Sequence, residues 1–315
     1  VEAFGLIQKQ NSTARHRWWT YQRERFPVFA HGALIAAFSF SAVSYSALLR
    51  GATRYPAWNS AGAAFITSFL FFLQLRIADE FKDAEEDARY RPYRPVPRGL
   101  VTLRELGMVG TVGASIQLIL AMTLAPALVL WLAFVWLYLG LMSKEFFARE
   151  WLKSRPGAYL WTHMLIMPLI DFYATACDWT MSANSPPAGL AWFLGVSLGN
   201  GLVIEIGRKL RAPEEEERGV PTYTALWGRR NAVLAWIGAM GLTVICAIFA
   251  AHKIKFAAPT TLLMTAMICP AVVIALRFLR RPVKEQARWF ELMSGVWTLF
   301  VYLGLGVAPL LCPLR

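Results

Sequence analysis

Charge is scarce in this sequence. Only 17% of its 315 residues are Asp, Glu, Lys or Arg, while hydrophobic residues make up 57%. A soluble domain carries about 25% charged residues, so this chain has too little polar surface to solvate a globule of its length. Cysteine is scarce as well. Cys177, Cys246, Cys269 and Cys312 show no CxxC spacing. They read as small apolar packing residues, with a disulfide left open. Low-complexity tracts and long linkers are missing too, so residues 1–315 are expected to form a single domain. The first thirty residues hold basic and aromatic clusters but no cleavage site of small residues, so no signal peptide is expected.

What the sequence does have is apolar runs of a length that matches a bilayer. A hydrocarbon core of about 30 Å is crossed by about 20 residues of helix. Nine spans are expected, at 27–49, 58–77, 107–124, 126–142, 158–177, 188–206, 231–251, 258–276 and 289–310. The expected fold is therefore an all-α, polytopic membrane bundle. Lysine and arginine set its orientation. With the N-terminus inside, the inner segments hold 27 of the 32 basic residues; the outer ones hold only Arg50, Arg54, Lys253, Lys255 and Arg315. Nine crossings, a cytoplasmic N-terminus and an outer C-terminus follow as expectations, in a cell (inner) membrane. The net charge of +12 is thus mostly a topology signal and gives no support to nucleic-acid binding. A basic inner face also suits anionic lipid heads or a phosphorylated substrate.

Two acidic segments stand at inner helix ends. The first follows the second span and contains Asp79, Glu80, Asp83 and Asp87, then a basic, proline-rich stretch from Arg91 to Arg98. Asp79, Asp83 and Asp87 are spaced i, i+4, i+8, which places them on one face of a helix continuing past residue 76. Like charges at that spacing destabilise a helix unless neutralised. A hard divalent cation such as magnesium neutralises them and completes its shell with substrate phosphates. The competing reading is a solvated, charge-mixed helix end. The second segment follows the sixth span. It runs from Glu205 through Arg208, Lys209 and Arg211 to Glu214, Glu215, Glu216 and Glu217.

The first segment resembles the first signature of the UbiA-type superfamily of intramembrane prenyltransferases. Glu80, Asp83 and Asp87 match its acids, with Asp79 where the family usually has Asn. The tail Arg94-Pro95-Val96-Pro97-Arg98-Gly99 also matches. The layout of spans and acidic loops extends the resemblance over the whole chain as one transmembrane domain. The second segment departs from it: the family usually shows paired aspartates there, and this chain has none. The resemblance implies a Mg2+ (or Mn2+) cofactor, a prenyl diphosphate substrate and a small aromatic or lipid acceptor. Asp79, Glu80, Asp83, Asp87, Glu205, Glu214 and Glu215 are the candidate metal ligands. Lys144, Arg94, Lys209 and Arg208 are candidates for the diphosphate.

Two further residues are candidates for catalysis. Asp171 is the deepest charge in the chain, and an ionisable residue inside a membrane is a functional candidate by default. A buried acid hydrogen-bonded to a neighbour is the alternative. Tyr138 with Lys144 resembles the family's Tyr…Lys pair, at a spacing of six rather than four. Trp18, Trp19 and Tyr21 read as an interfacial aromatic belt. The expected function is Mg-dependent ionisation of an isoprenoid diphosphate and transfer of the prenyl group within the membrane. The rivals are a terpene cyclase acting without acceptor, a divalent-metal carrier and a non-catalytic membrane subunit.

Overall fold

The computed structural model describes residues 16–183, 185–217 and 219–312. All regular structure among them is helical. Residues 16–25 are helical, followed by Val28–Leu49 (α1), Trp58–Lys82 (α2) and the short Ala84–Tyr90 (α3). Leu103–Leu124 (α4), Leu128–Ser143 (α5), Arg149–Lys153 (α6), Pro156–Met164 (α7) and Ile166–Trp179 (α8) come next. Leu190–Arg208 (α9), Tyr223–Trp227 (α10), Arg229–Lys253 (α11), Ala257–Arg280 (α12) and Lys284–Tyr302 (α13) complete the main series. The π-helical turn Leu303–Val307 carries α13 on into Ala308–Leu311 (α14).

Among the described residues, seven helices are long and apolar enough to cross a bilayer, counting Lys284–Leu311 as one. The α5 helix is shorter, at 16 residues. Large apolar residues face outward on α4 and α5: Met108, Val112, Ile116, Ile119 and Met122 on one, Leu130, Phe134 and Leu137 on the other, while the exposed Thr111, Ser115 and Thr123 hydroxyls of α4 donate to carbonyls of their own helix. The three- and four-residue spacing of the apolar residues makes continuous stripes that lipid tails would cover.

Local chemistry explains the ends and breaks. Thr102 and Glu105 form a reciprocal capping box that starts α4. The expected span 158–177 is two helices meeting at Leu165. Pro168 is the cause, because it has no N–H for the Met164 carbonyl and its ring crowds that group. The expected continuous helix through Asp79, Asp83 and Asp87 also changes. Asp83 caps α2 at φ −94° and ψ 5°, and α3 begins at Ala84. Asp79 and Asp83 stay on the cavity side, while Asp87 turns inward and is buried. All four cysteines are free, so the disulfide left open by the sequence does not form.

Lipid tails are as apolar as leucine, so close packing and interhelical hydrogen bonds hold such a bundle together. Gln117 on α4 accepts from Gln74 of α2 at 3.0 Å and from Trp136 of α5 at 3.1 Å. Trp236 of α11 donates to Ser294 of α13 at 3.0 Å, and Ser294 donates to the Val203 carbonyl of α9 at 3.1 Å. Interhelical bonds of this kind contribute on the order of 0.6 kcal/mol each. Two glycines let α9 come close to its neighbours. A Cβ on Gly199 would meet Thr243 of α11, and one on Gly207 would meet Ser294 of α13. The charged ends of α9 and α2 line one cavity.

Candidate functional site

A cavity of about 410 Å³ opens where the ends of α2 and α9 meet the loops around α3, α6 and α10. Its floor is apolar and includes Leu75, Met142, Met164, Ile166 and Met167. Its mouth is charged. The α2 helix contributes Arg76, Asp79 and Lys82, with Asp83 at its cap; α9 contributes Glu205 and Arg208, followed by Lys209. Arg91 and Arg94 come from the proline-rich loop, and Arg149 and Lys153 from α6.

The charges are closely paired. Glu205 meets Arg208 at 2.5 Å and Lys209 at 2.9 Å. Asp79 meets Arg76 at 3.3 Å and Lys82 at 3.7 Å. Asp83 differs from them: among the described residues it has no ion pair and no side-chain hydrogen bond. Burial raises the pKa of its carboxyl above the usual carboxylate range; Lys82 lowers it, and Asp79 and Asp87 raise it further. An unpartnered, desolvated carboxylate beside a second one is the donor set a hard divalent cation takes. Asp79 and Asp83 therefore fit a magnesium ion. Glu205 fits one poorly, because its two oxygens are held at 2.5 and 2.9 Å, closer than the 3.3 and 3.7 Å contacts of Asp79, which also has the unpaired Asp83 beside it.

Two aromatic residues of α7 line one wall. The rings of Tyr159 and His163 are stacked at 3.8 Å. The Tyr159 hydroxyl accepts from Lys82 at 2.8 Å. Nδ1 of His163 lies 2.9 Å from the Tyr159 carbonyl, while its Nε2 is buried with no partner. Assigning the ring proton to Nδ1 leaves a bare lone pair on Nε2. Glu145 reaches the cavity from an unusual turn after α5. Glu145, Phe146 and Phe147 have φ of 49°, 54° and 57°. Left-handed non-glycine residues cost of order 1–3 kcal/mol each and concentrate at functional sites.

The structure brings together Asp79, Asp83, Arg94, Glu205, Arg208 and Lys209 of the sequence candidates. The others lie elsewhere. Glu80 is buried against Arg25 at 2.5 Å. Asp87 sits behind the cavity, held by Arg91 at 2.6 Å and Arg94 at 2.7 Å. Tyr138 donates to the Thr162 carbonyl at 2.7 Å, and Lys144 caps α5 outside the lining. Asp171 is fully buried in the bundle, where the Tyr302 hydroxyl donates to it at 3.2 Å. Glu214 accepts from the Lys284 backbone at 2.7 Å, and Glu215 lies 3.9 Å from Arg211. Glu216 accepts from Thr222 at 2.7 Å and Thr224 at 2.8 Å, and Glu217 from Tyr93 at 3.2 Å. The acidic run thus fastens its loop to itself, to the start of α13 and to the proline-rich loop. Arg76, Lys82, Glu145, Tyr159 and His163 were not among the sequence candidates. The i, i+3 spacing of Arg76, Asp79 and Lys82, and the i, i+4 spacing of Tyr159 and His163, are the signals that could have found them.

Solved structures share this architecture. A UbiA homolog from Aeropyrum pernix K1 superposes with a TM-score of 0.63 at 15% identity, over 86% of this chain and 96% of its own. A structure of digeranylgeranylglyceryl phosphate synthase gives 0.61 at 15% identity, over 94% and 100%. A UbiA homolog from Archaeoglobus fulgidus, bound to DMAPP and Mg2+, gives 0.52 at 12% identity, over 88% and 99%. Among curated proteins none matches the sequence. The family model of the UbiA prenyltransferase family matches residues 37–304. With seven helices of bilayer length, the chain is an integral membrane protein, and it belongs to the UbiA prenyltransferase family.

Proposed function

We propose that this protein ionises a prenyl diphosphate in the cavity between α2 and α9 and transfers the prenyl group to an acceptor within the membrane. One observation carries the reading: unpaired Asp83 and a ring of cations face one cavity whose floor is apolar. The solved relative bound to DMAPP and Mg2+ supports a prenyl diphosphate and a divalent ion as the ligands. Asp79 and Asp83 would hold the ion, which supplies charge stabilisation for the departing diphosphate. Arg76, Lys82, Arg208 and Lys209 add their own charge at the same place. Donors preorganised where charge develops, in a site shielded from water, are usually the largest single catalytic contribution.

The reaction then balances as follows. The allylic C–O bond breaks and its electron pair leaves with the diphosphate. The prenyl cation lies against the apolar floor, beside the stacked faces of Tyr159 and His163, whose quadrupoles favour positive charge. The acceptor supplies the electron pair for the new bond and loses a proton. His163 lines the cavity and its Nε2 has no partner, so we assign it to take that proton.

The positive-inside bias supports a cytoplasmic mouth for the cavity, with nine crossings and an inside N-terminus, in the cell membrane. The test is purification in detergent and incubation with C10 to C20 prenyl diphosphates, magnesium and a panel of phenolic and lipid acceptors. Prenylated acceptor is the expected product. Cyclised hydrocarbon formed without acceptor would replace transfer by cyclisation, and intact diphosphate throughout would overturn the proposal.

A further inference from the structure

Four carboxylates near the cavity are each shared by two cations among the described residues. Glu205 holds Arg208 and Lys209, Asp79 holds Arg76 and Lys82, Glu86 holds Arg149 and Lys153, and Asp87 holds Arg91 and Arg94. Each trio leaves one positive charge over, and in each the cations line the cavity. The α9 trio is the tightest of those whose carboxylate also faces the cavity. Nε of Arg208 grips Glu205 at 2.6 Å, and its Nη2 at 2.5 Å. Among the described residues its Nη1 has no partner. The other oxygen of Glu205 is taken by Lys209 at 2.9 Å.

This arrangement is unsuited to a metal. A divalent ion reaching Glu205 would have to displace a guanidinium at 2.5 Å and an ammonium at 2.9 Å and then remain beside both, whereas the cations of Asp79 stand off at 3.3 and 3.7 Å and the unpaired Asp83 offers a free ligand next to it. It is well suited to a polyanion. A diphosphate ester exceeds the charge of about −1.5 to −2 on a phosphomonoester. A guanidinium fork oriented by one carboxylate still presents its remaining N–H groups to phosphate oxygens.

Resting on the prenyl-diphosphate reading above, we infer that the α9 end of the cavity binds the diphosphate directly through Arg208 and Lys209, with no metal ion there. Glu205 is the anchor that aims these two cations. The site then takes one divalent ion, on the Asp79 and Asp83 side, and protein charge does the work at the other.

The test is calorimetric binding of inorganic pyrophosphate to the full chain in detergent, once in EDTA and once in magnesium. The wild-type protein is expected to bind in EDTA. Lys209→Gln should weaken that binding about 10-fold, the scale of one charge-assisted hydrogen bond. Glu205→Gln should weaken binding by the same factor in both buffers, because it disturbs cations and removes no metal. The doubly neutral Glu205→Gln/Arg208→Gln protein guards against misfolding, since it leaves no buried charge alone; it too should lose binding in EDTA. Binding by the wild type only in magnesium overturns the inference. So does a Glu205→Gln loss confined to magnesium, or no loss at all. In each of these cases, continued turnover of prenyl diphosphate would leave the enzyme reading standing. Absence of both pyrophosphate binding and turnover in magnesium would remove that reading as well.

Discussion

Asp83→Asn should separate function from stability at one residue. The carboxylate is desolvated, has no cation of its own among the described residues, and stands beside Asp79 and Asp87. Its pKa is raised in the folded protein, so ionisation opposes folding above the ordinary range of about 4. The penalty is present at neutral pH and is relieved as pH falls. An isosteric amide removes that penalty, so the variant's melting temperature in chelator should equal or exceed that of the wild type. Activity should move the other way. Losing a main electrostatic contact to developing charge costs about 100- to 1000-fold in rate. The wild type should also gain stability from magnesium, by about 2.7 kcal/mol at 100 times Kd, and the variant should gain far less. Diphosphate release and thermal unfolding, each with and without magnesium, measure all three effects. A variant that melts early and loses activity in proportion would mean that Asp83 is structural. One that keeps its activity would remove it from the metal site.

Further outcomes follow from the same geometry. Because burial raises the Asp83 pKa in the metal-free protein, magnesium affinity should weaken with falling pH from above the range of an ordinary carboxylate; affinity held down to about pH 4 would show that Asp83 is not a ligand. Asp171→Asn should leave both folding and turnover near wild type, because among the described residues Asp171 has no ion pair and accepts from the Tyr302 hydroxyl. Asp171→Ala should cost about 1–3 kcal/mol by stranding that hydroxyl, whereas a stable but inactive Asp171→Asn protein would restore the catalytic reading. Glu216→Gln should change the rate little, since Glu216 serves Thr222 and Thr224 in its own loop; a loss matching that of Asp83→Asn would contradict this. Single cysteines near residues 90 and 215 should be labelled only from the cytoplasmic side, and labelling of either from outside would overturn the orientation.

Much of the bundle was legible because its signals are local. Apolar run length gives the helices, and Thr102 with Glu105 marks the start of α4 in the sequence as in the structure. Pro168 was equally visible, yet an apolar run counted only for length conceals the break at Leu165. In the site, Asp79 and Asp83 were legible from a one-turn spacing on one helix. Asp87 was not, because its burial depends on Arg91 and Arg94 folding back from the proline-rich loop. Glu214 and Glu215 were candidate ligands through the resemblance; Glu214 instead meets the Lys284 backbone, a partner that exists only in the tertiary fold, and Glu215 serves Ala212 and Arg211 in its own loop. Glu145 gave no signal, since three consecutive left-handed residues cannot be read from Glu-Phe-Phe.

The central claim is that this cavity ionises a prenyl diphosphate, and release of inorganic diphosphate from a C10 to C20 prenyl diphosphate by the purified protein tests it most directly. The account predicts release that requires magnesium or manganese, stops in chelator and falls at least about 100-fold in Asp83→Asn. No release with any chain length, or full release in chelator by the wild type and Asp83→Asn alike, would contradict it.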